Sequence, residues 1–116
     1  MAASGRASEH DERGGAGIAV EVGVAGPAVV HLSGDVDLSQ AQALTDRLAD
    51  LVASGRDVIV DLSGVSFIDS TGMGALVFAS RRAEAHGQSV TLRRLGVQVM
   101  RTLTLAGLDQ VVRVEH

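Results

Sequence analysis

The 116-residue sequence predicts an α/β domain, a mainly parallel mixed β-sheet with an antiparallel first strand, packed by helices. Three observations predict it. Hydrophobic periods of two and of 3.6 alternate along the chain, the pattern of strands joined by right-handed helical crossovers. Residues 57–62 (DVIVDL) are almost continuously apolar and β-branched, as in a central strand covered on both faces. The first two strands are separated only by Ala25-Gly26-Pro27, which is turn chemistry, so they pair as a hairpin.

The elements follow in order. Residues 1–16 are small, polar and Gly-rich with neither period, and are expected to form a disordered N-terminal tail. The folded domain then spans 17–116. Ile18, Val20, Val22 and Val24 alternate with Ala19, Glu21 and Gly23, giving a half-buried strand, and 28–33 give a second that ends at Gly34. Ser39 followed by Gln42 has the spacing of a capping box. Behind it Ala41, Leu44, Leu48, Leu51 and Val52 fall on one helical face, so a helix is expected over 39–54, stopped by Gly55. After the 57–62 strand come a loop at 63–69, a helix over 70–86 stopped by Gly87, and a strand around Val90 and Leu92. A short helix over 97–105 and a last strand over 111–114 complete the chain.

Composition narrows the function. Hydrophobic residues make up 46% of the chain and aromatics 2%, so one core can form and must be aliphatic. No stretch approaches the ~20 apolar residues of a membrane span, residues 1–17 lack the apolar region of a secretory signal, and there is no cysteine. Together these point to the cytoplasm. A net charge of −4 argues against direct nucleic-acid binding. All ten basic residues are Arg; the pairs Arg81-Arg82 and Arg93-Arg94 could form an anion site, though solvated element faces explain them more simply.

The chemistry concentrates in residues 58–76 (VIVDLSGVSFIDSTGMGAL). A buried strand leads to Asp69-Ser70-Thr71-Gly72, which opens a helix, and ligand sites in α/β sheets collect in loops beyond the carboxyl ends of strands. Gly72 and Gly74 each weaken a helix by about 0.5–1 kcal/mol, so something approaches the backbone closely there: the protein's own core, a phosphoryl group or a partner. On local pattern alone, Asp69 or Ser70 is simply an N-cap. A P-loop lacks its lysine, a dinucleotide site has only the fragment Gly72-Met73-Gly74, and Ser70 lacks the Gly-x-Ser-x-Gly setting of a hydrolase. His10, His31, His86 and His116 include no pair at metal-ligand spacing, so neither metal nor cofactor is expected. An enzyme built on Ser70 would also want for a base, since neither interior histidine lies in this segment.

This segment resembles the STAS domain of anti-sigma factor antagonists. The resemblance rests on Gly34-Asp35-Val36-Asp37, on residues 58–62 leading into Phe67-Ile68-Asp69-Ser70-Thr71-Gly72-Met73-Gly74, and on Arg101-Thr102-Leu103 and Ala106-Gly107-Leu108-Asp109. It implies a regulatory binding module, not an enzyme, whose partner is an anti-sigma factor that is also a serine kinase. Binding would release a sigma factor; phosphorylation of Ser70 would end binding; a serine phosphatase would reverse it. The resemblance places Asp37, Asp69, Ser70, Thr71, Gly72, Met73 and Gly74 at the partner-binding surface. The alternative is a STAS subunit of a signalling scaffold or transport complex in which Ser70 is not modified.

Overall fold

The computed structural model describes residues 7–13 and 16–115. Its elements are β1 (Ala7–Arg13), β2 (Ala16–Val22), β3 (Ala28–Val36), α1 (Leu38–Ala53), β4 (Val58–Ile68), α2 (Ser70–Ala85), β5 (Val90–Arg93), α3 (Val97–Leu105), a 3-10 turn (Leu108–Gln110) and β6 (Arg113–Glu115). The strands lie side by side in chain order in one six-stranded sheet. β1, β2 and β3 pair antiparallel, and β3 to β6 pair parallel. The α/β architecture and the β2–β3 hairpin are therefore as expected.

One core cluster joins the strand residues Val20, Val30, Leu32, Val60, Leu62, Val90 and Leu92 to all three helices. Leu44, Leu48 and Val52 come from α1, Met73, Leu76, Ala79 and Ala83 from α2, and Val99 and Leu103 from α3. Full burial of an aliphatic side chain stabilises the fold by about 1.5–3 kcal/mol, so this cluster carries most of the stability. The three helices thus share one face of the sheet. The expectation that residues 57–62 are covered on both faces is corrected: Val58, Val60 and Leu62 face the helices, while Ile59 and Asp61 point the other way.

Four further boundaries differ from the sequence reading. Residues 7–13 fall within the expected disordered tail but form β1; residues 1–6, 14 and 15 lie outside the described residues. Backbone pairing with the open edge of β2 needs no apolar side chains, so composition does not reveal it. β3 runs past Gly34 to Val36, because Gly34 adopts φ 79° at a register irregularity that lets the strand continue. The expected loop at 63–69 is strand β4 as far as Ile68, paired with that extension. The last strand begins later than expected, at Arg113, after the 3-10 turn.

Asp61 is the one acidic residue among the buried residues, its side chain 2% exposed beneath Arg93 and Arg94, at 3.2 and 3.5 Å. The adjacent arginines are therefore not simply solvated. Burial pushes the Asp61 carboxyl up, but hydrogen bonds from the Ser63 hydroxyl and N–H and from Arg93 outweigh it and hold the carboxyl at about 2, below the usual 3.8. A carboxyl lowered in the folded state stabilises fully above its unfolded value and loses that contribution as pH falls toward the folded one. Asp61 should therefore contribute about 2 kcal/mol at neutral pH, fading between pH 4 and 2. Urea titrations of wild type and Asp61→Asn should differ most at pH 7 and converge by pH 2. A gap that persists at pH 2 would refute this account.

Candidate functional site

The ends of β3 and β4 build the site. Val36 and Ile68 are partners in the parallel register, and the Asp69 N–H donates to the Val36 carbonyl at 3.1 Å. The next residue in each strand, Asp37 and Asp69, is the N-cap of the following helix, so the starts of α1 and α2 sit side by side. The cap of α1 is thus Asp37, not the Ser39–Gln42 pair. Ser39 donates both its N–H (3.0 Å) and its hydroxyl (2.7 Å) to the Asp37 carboxylate, while Gln42 donates to Asp46. A carboxylate is a strong acceptor for the unpaired first-turn N–H groups, and here it outcompetes the Ser-x-x-Gln spacing.

Asp69 does the same for α2 with more donors. It accepts the Thr71 hydroxyl at 2.6 Å and the Gly72 N–H at 2.9 Å. The Thr71 hydroxyl and then the Gly72 N–H are the main reasons its carboxyl is lowered, with lesser help from the N–H groups of Thr71 and Leu38. The Leu38 contact ties the α2 cap to the first residue of α1. Between these caps Ser70 opens α2, exposed, and its hydroxyl makes no hydrogen bond among the described residues. Of two adjacent hydroxyls, Thr71 is held by a carboxylate and Ser70 is free.

The seven residues expected at a partner surface divide by exposure. Asp37, Asp69, Ser70, Thr71 and Gly74 reach the surface. Met73 does not: at 3% exposure its side chain belongs to the core, because the first turn of α2 directs that position at the sheet. Gly72 is also buried, and a Cβ there would lie 2.8 Å from the Val36 carbonyl oxygen and 2.9 Å from side-chain carbons of Ile68 and Val36. Its close neighbour is the protein's own strand. A Cβ at Gly74 would meet nothing within 4 Å.

Three apolar residues near these caps escaped the sequence reading. Leu38 is 72% exposed, and Phe67 and Phe78, the only aromatic residues of the chain, are each 49% exposed. Phe67 lies three residues before Ser70. Phe78 continues the Ser70–Gly74 stripe of α2 at four-residue spacing, with the Arg82 guanidinium 5.8 Å from its ring centre. That stripe was readable once Met73, Leu76, Ala79 and Ala83 had been assigned to the opposite face. A separate shallow apolar groove of about 480 Å³ runs along α3, lined by Leu95, Val97, Met100, Arg101, Thr104 and Leu105, and shares no residue with this surface.

No group of three or more acidic, His or Cys side chains could hold a metal ion among the described residues, and no helix there is long and apolar enough to cross a membrane. Comparison with known proteins adds the family. Residues 23–113 match the model of the Mlab, STAS domain family. The chain is 34% identical over 92 residues to the anti-sigma-F factor antagonist RsfB of Mycobacterium tuberculosis, covering 77% of this chain and 73% of that one. It is 29% identical over 85 residues to the anti-sigma-B factor antagonist of Bacillus subtilis, covering 73% and 78%. The phosphorylated form of the Bacillus cell fate determinant SpoIIAA shares the fold, with a TM-score of 0.62 at 17% identity over 95% of this chain and 92% of that one. The chain belongs to the STAS-domain family of anti-sigma factor antagonists.

Proposed function

We propose that this chain is a phosphorylation-gated anti-sigma factor antagonist. It binds an anti-sigma factor that is also a serine kinase, frees the sigma factor, and is released when that kinase phosphorylates Ser70. A serine phosphatase restores it. On this reading the protein works in the cytoplasm as a binding module, with no chemistry of its own and no direct contact with nucleic acid or membrane.

The observation that carries this is the contrast between two neighbouring hydroxyls. Ser70 is exposed and unbonded at the start of α2, whereas the Thr71 hydroxyl must first break a 2.6 Å bond to Asp69. The apolar side chains of Leu38, Phe67 and Phe78 give a partner contact area around Ser70, and the open space over Gly74 lets its backbone approach. Relatives named anti-sigma factor antagonists support the same role.

The test is pairwise binding between the purified chain and each anti-sigma factor kinase of its own genome, followed by ATP. One kinase should bind and then transfer phosphate to Ser70, as assigned by phosphopeptide mass spectrometry; Ser70→Ala should bind and stay unphosphorylated. Failure of every kinase to bind would reject the proposal, and phosphate on Thr71 instead of Ser70 would reject the site.

Asp37 needs a more careful variant than alanine. As the α1 cap it contributes about 0.5–2 kcal/mol, so Asp37→Ala weakens the fold and the surface together. Asp37→Asn keeps a capping side chain and removes the charge. We expect Asp37→Asn to unfold within a few degrees of wild type while binding the kinase more weakly. Wild-type affinity would show that Asp37 only caps the helix.

A further inference from the structure

Three hydroxyl side chains stand at the paired starts of α1 and α2: those of Ser39, Ser70 and Thr71, all exposed. Burial therefore does not tell them apart, but hydrogen bonding does. Each N-cap aspartate takes the hydroxyl two residues after it. Asp37 accepts that of Ser39 at 2.7 Å, and Asp69 accepts that of Thr71 at 2.6 Å. The only other Asp-x-Ser/Thr triplet of the chain, Asp61-Leu62-Ser63, shows the same bond at 2.7 Å. Ser70 falls outside this spacing because it directly follows Asp69. Its hydroxyl alone of the three makes no hydrogen bond among the described residues.

Resting on the function proposed above, we propose that Asp69 determines which hydroxyl is phosphorylated: by holding that of Thr71, it leaves Ser70 as the acceptor. Transfer joins a hydroxyl oxygen to the γ-phosphorus of ATP, breaks the bond from that phosphorus to ADP and releases the hydroxyl proton to a base of the kinase. The Ser70 hydroxyl is free to turn into this geometry. The Thr71 hydroxyl must first give up a bond to a carboxylate, and such charge-assisted bonds are about twice as strong as neutral ones. Asp69 is a poor base for Thr71 itself, because this bond and the Gly72 N–H hold its carboxyl below the ordinary carboxylate range. The bond should favour Ser70 by about tenfold or more. Both hydroxyls belong to one molecule, so the affinity of the kinase cancels from their ratio. Asp69 is thus a selector as well as a cap.

The test first removes the difference between serine and threonine. In full-length Thr71→Ser the two acceptors are alike except for the bond to Asp69. After incubation with ATP and the kinase that binds the chain, phosphopeptide mass spectrometry should find phosphate on residues 71 and 70 at about 1:10 or less. Adding Asp69→Asn keeps a good N-cap with a neutral acceptor, and the ratio should rise several-fold. Adding Asp69→Gly instead removes the side-chain acceptor, and the ratio should approach about 1:1. A helix start that merely frays would move the ratio in the glycine variant alone. A second measurement needs no kinase: in the free wild-type chain the Thr71 hydroxyl proton should exchange with water slowly enough to be seen by NMR, unlike that of Ser70. Phosphate divided evenly in Thr71→Ser, a ratio unmoved or lowered by Asp69→Asn, or a Thr71 hydroxyl exchanging as fast as that of Ser70 would each overturn the selection. Provided wild type takes phosphate on Ser70, the proposed function survives all three results. A wild type phosphorylated by no kinase removes function and selection together.

Discussion

Phosphate on Ser70 should weaken binding of the anti-sigma partner about a hundredfold or more while leaving the fold intact. A phosphoserine carries about −1.5 to −2 charges at neutral pH and would stand at the first residue of α2. In the free protein two effects nearly balance. The helix dipole favours an anion there by about 0.3–1 kcal/mol, while Asp69, whose carboxylate is ionised and close, repels it. Asp37 at the neighbouring cap adds to that repulsion, but water and salt screen such exposed charges. Neither effect touches the core contacts of Met73, Leu76 and Ala79, which hold α2 in place.

At the interface the terms no longer balance. Binding removes water from around Ser70, the hydroxyl can no longer donate, and a dianion between two carboxylates must be desolvated against a surface that accommodated a neutral serine. A hundredfold loss corresponds to only ~2.8 kcal/mol, modest for burying a charge without a partner. Ser70→Glu should reproduce part of the loss, having one negative charge rather than two, and Ser70→Ala little of it. Calorimetric titration of the kinase with phosphorylated and unphosphorylated chain measures the ratio. Equal affinities would remove phosphorylation as the switch. An amide spectrum collapsed by phosphorylation would show that the switch works by unfolding instead.

The sequence showed this site unevenly, for physical reasons that differ by residue. Position was legible: an apolar β-branched run ending in Asp69-Ser70 must place a helix start beyond the carboxyl end of a central strand. Side-chain competition was not. Ser39–Gln42 matches a cap by spacing, yet Asp37 takes the role, its carboxylate two residues earlier accepting both the N–H and the hydroxyl of Ser39. Gly34 looks like a strand terminator, yet it serves as an irregularity within β3. Its extension draws residues 63–68 out of a loop and into β4. Asp61 was hidden inside an apolar run, and the hydrogen bonds from Ser63, together with the register that places Arg93 beside it, explain how a buried carboxylate is tolerated. β1 was illegible because its pairing is backbone to backbone. The two glycines after Ser70 looked alike in sequence and are opposite in the structure.

Gly72→Ala should be among the most damaging single-methyl additions in the chain, costing about 1–3 kcal/mol, whereas Gly74→Ala, two residues along the same helix, should stabilise it. Both substitutions remove glycine's helix penalty, a gain of about 0.5–1 kcal/mol. At Gly74 the new methyl enters open space, so the gain is kept. At Gly72 it would sit 2.8 Å from the Val36 carbonyl oxygen, closer than real Cβ contacts come, and 2.9 Å from the carbons of Val36 and Ile68. The obstacle is backbone and cannot swing aside. That carbonyl accepts the Asp69 N–H, and both flanking carbons belong to buried core residues. Relief therefore requires the first turn of α2 to lift from β3, which pulls Asp69 from Leu38 and Ser70 from its place between the caps. Thermal unfolding should fall by about 4–8 °C per kcal/mol for Gly72→Ala and rise for Gly74→Ala. Below its unfolding temperature Gly72→Ala should also be a poorer kinase substrate, since its acceptor serine is displaced. Gly74→Ala should be well folded yet bind the kinase less tightly, its methyl occupying the space a partner backbone needs. If Gly72→Ala unfolds at the wild-type temperature, the close approach of α2 to β3 is not what requires glycine there.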